Sequence, residues 1–152
     1  MSLIINVRQA TLSDLDALAP LFDSYRQFYG RDSDIAAARE FLLARFQQKD
    51  SIVLIADDGN RHHGFSQLYP SFSSVSLART FILNDLFVVE ASRRKGVASK
   101  LMLTAVELAR SLGAIRVSLS TARTNDIAQA LYHSAGWQRD EQFFVYHAAL
   151  SN

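Results

Sequence analysis

The chain has 152 residues, 49% of them hydrophobic and 20% charged, with 16 Lys plus Arg against 15 Asp plus Glu and no cysteine. That is enough chain for one packed domain at an ordinary globular composition, which excludes disorder, collagen-like repeats and disulfide scaffolds. A net charge of +1 provides no global field for nucleic acid, and the lack of thiols removes disulfides, thiolate nucleophiles and thiolate metal sites. With no long apolar run and no basic-then-apolar leader pattern at the start, the expectation is a cytoplasmic protein that neither enters a membrane nor is exported.

Residues 3 to 7 alternate as a short strand. Thr11-Leu12-Ser13-Asp14 offers capping side chains for a helix that runs to about Tyr29, with Leu15, Leu18, Phe22, Tyr25 and Tyr29 as its apolar stripe and Gly30 as its stop. A second helix is expected from Ser33 to about Gln48. Ser51 to Ala56 and Gly64 to Tyr69 form a hairpin around Asp57-Asp58-Gly59-Asn60, and Pro70 ends the return strand. The Ser-rich stretch Ser71 to Arg79 reads as a loop. Phe81 to Val89 is nearly continuous apolar sequence, as in a strand buried on both faces at a sheet centre, and it contains Asn84 and Asp85.

Val97, Leu101, Ala105, Leu108 and Leu112 recur at helical spacing, closed by Gly113. A strand over Ile115 to Thr121, a short helix over Asn125 to Ser134 ended by Gly136, and a last strand over Phe143 to Ala148 complete the order. No repeat or linker interrupts it. One α/β or α+β domain over residues 1–152 is predicted.

The strongest chemical signal is Arg93-Arg94-Lys95-Gly96-Val97-Ala98, between the buried strand and a helix. A helix N-terminus has unpaired N–H groups and partial positive charge, and glycine lets backbone approach an anion, so this segment is suited to a pyrophosphate. Neither G-x-x-x-x-G-K-[ST] nor G-x-G-x-x-G occurs. Alone, the segment reads more readily as a solvated basic turn, and it is the downstream sequence that favours the anion site. Asn125 and Tyr132 lie seven residues apart on one helix edge, about 10 Å along the axis. A tyrosine hydroxyl is protonated at neutral pH and can give a proton to a departing thiolate; the plainer reading makes Tyr132 a core-boundary residue and Asn125 an N-cap. His62, His63, His133 and His147 show no metal spacing and read as surface or packing residues, so no metal is expected, and no G-x-S-x-G elbow supports hydrolase chemistry.

Together these segments resemble the GNAT superfamily of acyl-CoA-dependent N-acetyltransferases. Leu83 to Val89, Arg93 to Ala98, Asn125 with Ala130-Leu131-Tyr132, and Gly136-Trp137 follow its successive motifs in order and spacing, and Val7 to Thr11 with Asp14 resembles its opening. The resemblance spans the whole chain and implies a mixed central sheet flanked by helices, with acetyl-CoA as cosubstrate. It implies that Val88 and its neighbours hold the pantetheine arm through strand backbone, that Arg93, Arg94, Lys95, Gly96, Val97 and Ala98 cradle the pyrophosphate, and that Asn125 lies near the pantetheine and Tyr132 near the sulfur. It also implies a homodimer. Ala98 stands where glycine is commonest in the family.

The acceptor would be a primary amine: a small amine, polyamine or amino acid, or a protein lysine or N-terminus. Such an amine is mostly protonated at neutral pH, so a group or water chain must take its proton. Asp85 is favoured over Glu40 and Glu90; a structural role, accepting from buried N–H groups, is the alternative for Asp85. Leu83-Asn84-Asp85 is similar to a Leu-Glu-Asp stretch in polyamine acetyltransferases, but asparagine at 84 cannot be a base. Adjacent strand residues point to opposite faces, so Asn84 and Asp85 share a pocket only across a bulge. Tyr25, Phe28, Tyr29, Tyr69 and Phe72 could rim an ammonium site or be core. The rival to an enzyme is a GNAT-like module that binds coenzyme A without turnover.

Overall fold

A computed structural model describes residues 4–151 of the chain. The described residues fall into two units, one running to Ser120 and one from Thr121 onward.

The first unit is an α/β arrangement around a mixed five-stranded sheet of order β1-β2-β3-β4-β5. The strands are β1 (Asn6–Gln9), β2 (Ile52–Asp57), β3 (His62–Ser73), β4 (Ala78–Val88) and β5 (Ala114–Ser118). The first four pair antiparallel, and β5 joins β4 in parallel after the crossover helix. Of the first expected strand, Leu3 lies outside the described residues, and the observed β1 starts three residues later than expected.

Helices α1 (Leu15–Phe28) and α2 (Ile35–Gln48) pack together, with α1 also against β3. Leu18, Phe22, Ala38 and Leu42 meet Val53, Ile55 and Phe65 in one buried cluster. Thr11 and Asp14 form a capping box at the entry to α1, and Asp14 also takes two hydrogen bonds of 2.9 Å from Arg8. Helix α3 (Val97–Ser111) packs against β2, β3, β4 and β5, burying Leu101, Met102 and Ala105. Strand β3 is buried from Gly64 to Leu68 between these neighbours, so Phe65 and Leu68 are enclosed together with the polar Ser66 and Gln67 and the stretch shows no clean alternation.

The structure corrects the sequence reading between β3 and β4. Pro70 does not end its strand, and Ser71 to Arg79 is not a loop: β3 continues to Ser73, and β4 begins at Ala78 after a tight turn. The reason lies in the register. Strand β2 reaches β3 only as far as Ile52↔Leu68, so Pro70 pairs with Phe81 on one side and its missing N–H faces an unpaired edge. A hairpin with one solvent-facing edge tolerates serine as readily as valine.

The second unit holds helix α4 (Asp126–Ser134). Asn125 caps it, its Oδ1 accepting from the Ala128 N–H at 3.1 Å. At the other end the Trp137 N–H bonds back to the Tyr132 carbonyl at 2.9 Å and the Gly136 N–H to that of His133, a Schellman ending that folds Trp137 onto Tyr132, ring centroids 6.3 Å apart. The strand expected over Phe143 to Ala148 does not form. Alternation of apolar residues describes where side chains point; a strand also needs a neighbouring ladder, which no described residue provides there. Among the described residues no helix is long and apolar enough to cross a membrane.

Candidate functional site

The C-terminal half of β4 is the centre of the site, because both of its edges and one of its faces are specialised. Its register with β3 passes from Gln67↔Asp85 directly to Leu68↔Leu83, leaving Asn84 as an extra residue. This is the bulge needed for adjacent side chains to share a pocket, and both Asn84 and Asp85 line one. Without the slip, every side chain from Asp85 onward would change faces.

Asp85 is buried. Its two carboxylate oxygens accept from the amides of Gln67 and Asn84, the latter at 2.8 Å, and Gln67 is in turn fixed by the Ser51 hydroxyl at 2.8 Å. Burial raises the Asp85 pKa above the ordinary carboxylate range, opposed in part by hydrogen bonds from Gln67, Asn84 and Tyr25. The Tyr25 hydroxyl has one proton for two acceptors, Asp85 and the Asn84 carbonyl at 3.3 Å. Burial, and then the Asp85 charge, raise both tyrosines beside it, Tyr69 to about 12, so both hydroxyls remain protonated donors at neutral pH.

The cavity over Asp85 has a volume of about 530 Å³. Phe22, Tyr25, Tyr29, Phe41 and Tyr69 form its aromatic lining, so three members of the expected rim are present. The other two are elsewhere: Phe28 stacks under the Arg93 guanidinium at 5.6 Å, and Phe72 under that of Arg79 at 5.5 Å. Neither Glu40 nor Glu90 reaches the cavity, which leaves Asp85 as its carboxylate.

Three residues further along β4, about 10 Å at strand rise, Val88 opposes Gly64. The Val89 N–H bonds to the His63 carbonyl at 2.9 Å, so Val88↔Gly64 is a non-hydrogen-bonded pair and Val88 turns its own N–H and C=O toward the other edge. On that edge β5 pairs with β4 only as far as Ile82↔Ser118, where β5 ends and the rest of the β4 edge is left unpaired. The Val88 carbonyl takes a 3.0 Å bond from Arg93 Nε, while its N–H is left as a donor on that edge.

A short turn over Glu90–Ser92 then leads into the basic loop. Arg94 and Gly96 both have positive φ, 64° and 77°, and Gly96 sits at the N-cap of α3 with no side-chain cap. The first N–H groups of this 15-residue helix are therefore turned outward without an intrahelical partner, the geometry that receives phosphate oxygens. Arg94 and Lys95 are exposed beside them and Val97 is buried under the turn. Arg93 is placed differently from its neighbours: it lies over Phe28 and Phe87 and ties the loop to β4.

Sequence reading missed the network that braces this loop. His63 Nδ1 is 2.6 Å from Ser92 Oγ, and its Nε2 is 2.8 Å from Asp58 Oδ2. The Asp58 carboxylate also accepts from the Asn60 and Arg61 N–H groups, and the His63 bond above all lowers its pKa to about 2. Although the residues are those of a hydrolase triad, Ser92 is only 4% exposed, out of reach of a substrate, so the arrangement joins the β2–β3 turn to the loop entrance. Only the Asp-Gly-Asn turn was visible beforehand; its partner Ser92 lies 29 residues from His63. Among the described residues no group of three His, Asp or Glu is gathered as a metal would require.

The mixed sheet with a helix N-terminus following its fourth strand accompanies a sequence match: residues 18–137 fit the Acetyltransferase (GNAT) family. The chain belongs to that family and is an N-acetyltransferase. It is 45% identical over 142 residues to the uncharacterized N-acetyltransferase YhfO of Bacillus subtilis (strain 168), covering 93% of this chain and 95% of that one. It is likewise 45% identical to a probable acetyltransferase of known crystal structure, with a TM-score of 0.92 over 97% of this chain and 99% of the other. An aminoglycoside N-acetyltransferase crystallised in complex with CoA shares the fold at 18% identity, with a TM-score of 0.81 and 97% of each chain covered.

Proposed function

We propose that the chain transfers an acetyl group directly from acetyl-CoA to a primary amine, working as one domain. The observation that carries this reading is that β4 presents two different chemistries about 10 Å apart: a buried carboxylate in an aromatic cavity at Asp85, and a backbone donor at Val88 on the edge that β5 leaves unpaired. The outward N–H groups at Gly96 follow immediately, in reach of a pyrophosphate whose pantetheine arm runs along that edge. The CoA complex of a protein with the same fold supports the choice of donor.

In the transfer the amine nitrogen forms a bond to the acetyl carbon and the carbon–sulfur bond breaks. Asp85 takes the proton that the ammonium must lose; its raised pKa makes it a stronger base than an exposed aspartate, and its charge attracts the cation beforehand. The Val88 N–H donates to the acetyl oxygen as negative charge develops there. The Tyr132 hydroxyl protonates the departing thiolate and is reprotonated through water by the second proton that the nitrogen loses as the amide forms, with Asn125 beside the pantetheine.

The test is acetyl-CoA turnover, read as thiol release, over a panel of small amines, amino acids, polyamines, aminoglycosides and peptides. Saturable turnover with at least one acceptor, lost in Tyr132→Phe, supports the mechanism. Thermal stabilisation by coenzyme A with no turnover on any acceptor would replace it with a binding module.

A further inference from the structure

A pocket built only to receive an ammonium has no use for cations at its wall, yet Arg26 and Arg31 both line the cavity over Asp85. What marks them is their place at the cavity without an ion-pair partner among the described residues, whereas three other arginines of this unit are paired. Arg8 pairs with Asp14 and Asp57, Arg39 with Asp16, and Arg45, which lies over the Phe41 ring, with Asp50 at 3.0 Å. No salt bridge joins Arg26 or Arg31 to any carboxylate among the described residues. The nearest acid to Arg26 in sequence, Asp23, feels its charge but makes its hydrogen bonds with other donors: its oxygens accept from the Ser33 hydroxyl and the Asp34 N–H, both at 2.7 Å.

Arg31 is also held at the cavity by design of the backbone. After α1 the Gly30 N–H bonds to the Gln27 carbonyl and the Arg31 N–H to the Arg26 carbonyl at 3.0 Å, with Gly30 at φ 85°. This Schellman turn reverses the chain and returns Arg31 to the last turn of α1, beside Arg26. Two arginines whose backbones are joined thus line the same cavity as the Asp85 carboxylate. Guanidinium is the side chain best shaped for paired oxygens of a carboxylate or phosphate.

We infer that the acceptor carries an oxyanion as well as its amine, the anion held by Arg26 and Arg31 while the amine lies toward Asp85. This rests on the proposed transfer to an amine and narrows its substrate to small molecules of the amino-acid or phosphorylated-amine class; about 530 Å³ is a small-molecule volume. Polycations such as polyamines fit worse, since their second charge would meet the two arginines.

Matched acceptors test it: glycine against methylamine, phosphoethanolamine against ethanolamine, and spermidine, each with acetyl-CoA. The anion-bearing member of at least one pair should show at least tenfold higher kcat/KM than its partner, and whichever pair does so distinguishes carboxylate from phosphate. Arg26→Gln, which retains part of the aliphatic stem, and Arg31→Ala should each raise KM for that acceptor with kcat nearly unchanged. They should leave the anion-free amine within twofold. Turnover in which spermidine or the anion-free amines are preferred, or in which the variants lower all acceptors alike, overturns the inference while leaving the transfer intact. Absence of turnover on every amine defeats the transfer itself. In that case the loss, in Arg26→Gln and Arg31→Ala, of thermal stabilisation by phosphoethanolamine or glycine would still support the anion subsite, and no stabilisation of the unmodified chain would end it.

Discussion

The two ends of the β4 segment make their sites from different materials. At Asp85 the work is done by side chains: a buried carboxylate, the amides that hold it, and the aromatic lining. At Val88 and Gly96 it is done by main chain, with Arg93 used as a brace and only Arg94 and Lys95 left as free-standing charge. An anion that recurs unchanged in every turnover can be met by backbone, whose N–H groups are indifferent to substitution. An acceptor that must be chosen among amines requires side chains. Substitutions should therefore act on kcat and acceptor preference at the first end, and on donor KM at the second.

The largest break in this comparison is expected from Asp85→Asn. It retains the shape and removes the base, so kcat/KM should fall about 10²–10⁴-fold with the donor KM almost unmoved. The stability effect runs the other way. A folded-state pKa above the unfolded one means that ionised Asp85 is tolerated at a cost, present above the folded pKa and relieved as pH falls below it. Asp85→Asn should thus melt at or above the temperature of the original chain near neutral pH. The acid limb of its pH–rate profile, which in the original chain should lie above the ordinary aspartate range, should vanish with the activity. A melting temperature that collapses at pH 7 would instead give Asp85 the structural role.

Gly96→Ala probes the other end. There is room for the new Cβ, since nothing lies within 4 Å of it, so only the left-handed φ of 77° opposes alanine. Roughly 1–2 kcal/mol of backbone strain should raise the acetyl-CoA KM about tenfold while leaving acceptor KM and kcat nearly constant. Equal effects on both substrates would show that the two ends are not separable.

The same division explains what could be read before the fold was known. The basic loop was legible because backbone sites announce themselves through glycine and helix phase. The acidic end was legible only as far as Asp85, a charge in an apolar strand; that Asn84 joins it depended on a one-residue slip against Gln67↔Asp85, which no pattern within β4 reveals. Arg26 and Arg31 went unnoticed because a helical stripe directs attention to Leu18 and Phe22, and because Arg31 returns to the helix only through the turn at Gly30. Pro70 and the serines after it misled for a related reason: their strand is an edge there, and edge strands relax the composition that marks buried ones. At Phe143 to Ala148 the error was the reverse, a strand pattern with no ladder to join.

The smallest expected effect lies between the two ends, in the Asp58–His63–Ser92 bridge that supports the loop from behind. Asp58→Asn weakens its bond to His63 and should raise donor KM only two- to threefold, because Arg93 still ties the loop to Val88 and Phe87. Its clearer signature is in acid. The folded Asp58 pKa of about 2 lies below the usual 3.8, so its contribution is complete above about pH 4 and disappears as the pH falls toward 2. Asp14, held to about 2 chiefly by its bond from Arg8, loses its contribution across the same interval and bounds the comparison. Thermal melts of the two asparagine variants between pH 2 and 5 should each show a shallower acid fall than the original chain. Only Asp58→Asn should also move the donor KM at pH 7, since Arg8 and Asp14 brace β1 and the start of α1 rather than the loop. A donor KM that moves equally in both variants would mean that the loop responds to general loss of stability, and the bridge would have no separate role in positioning it.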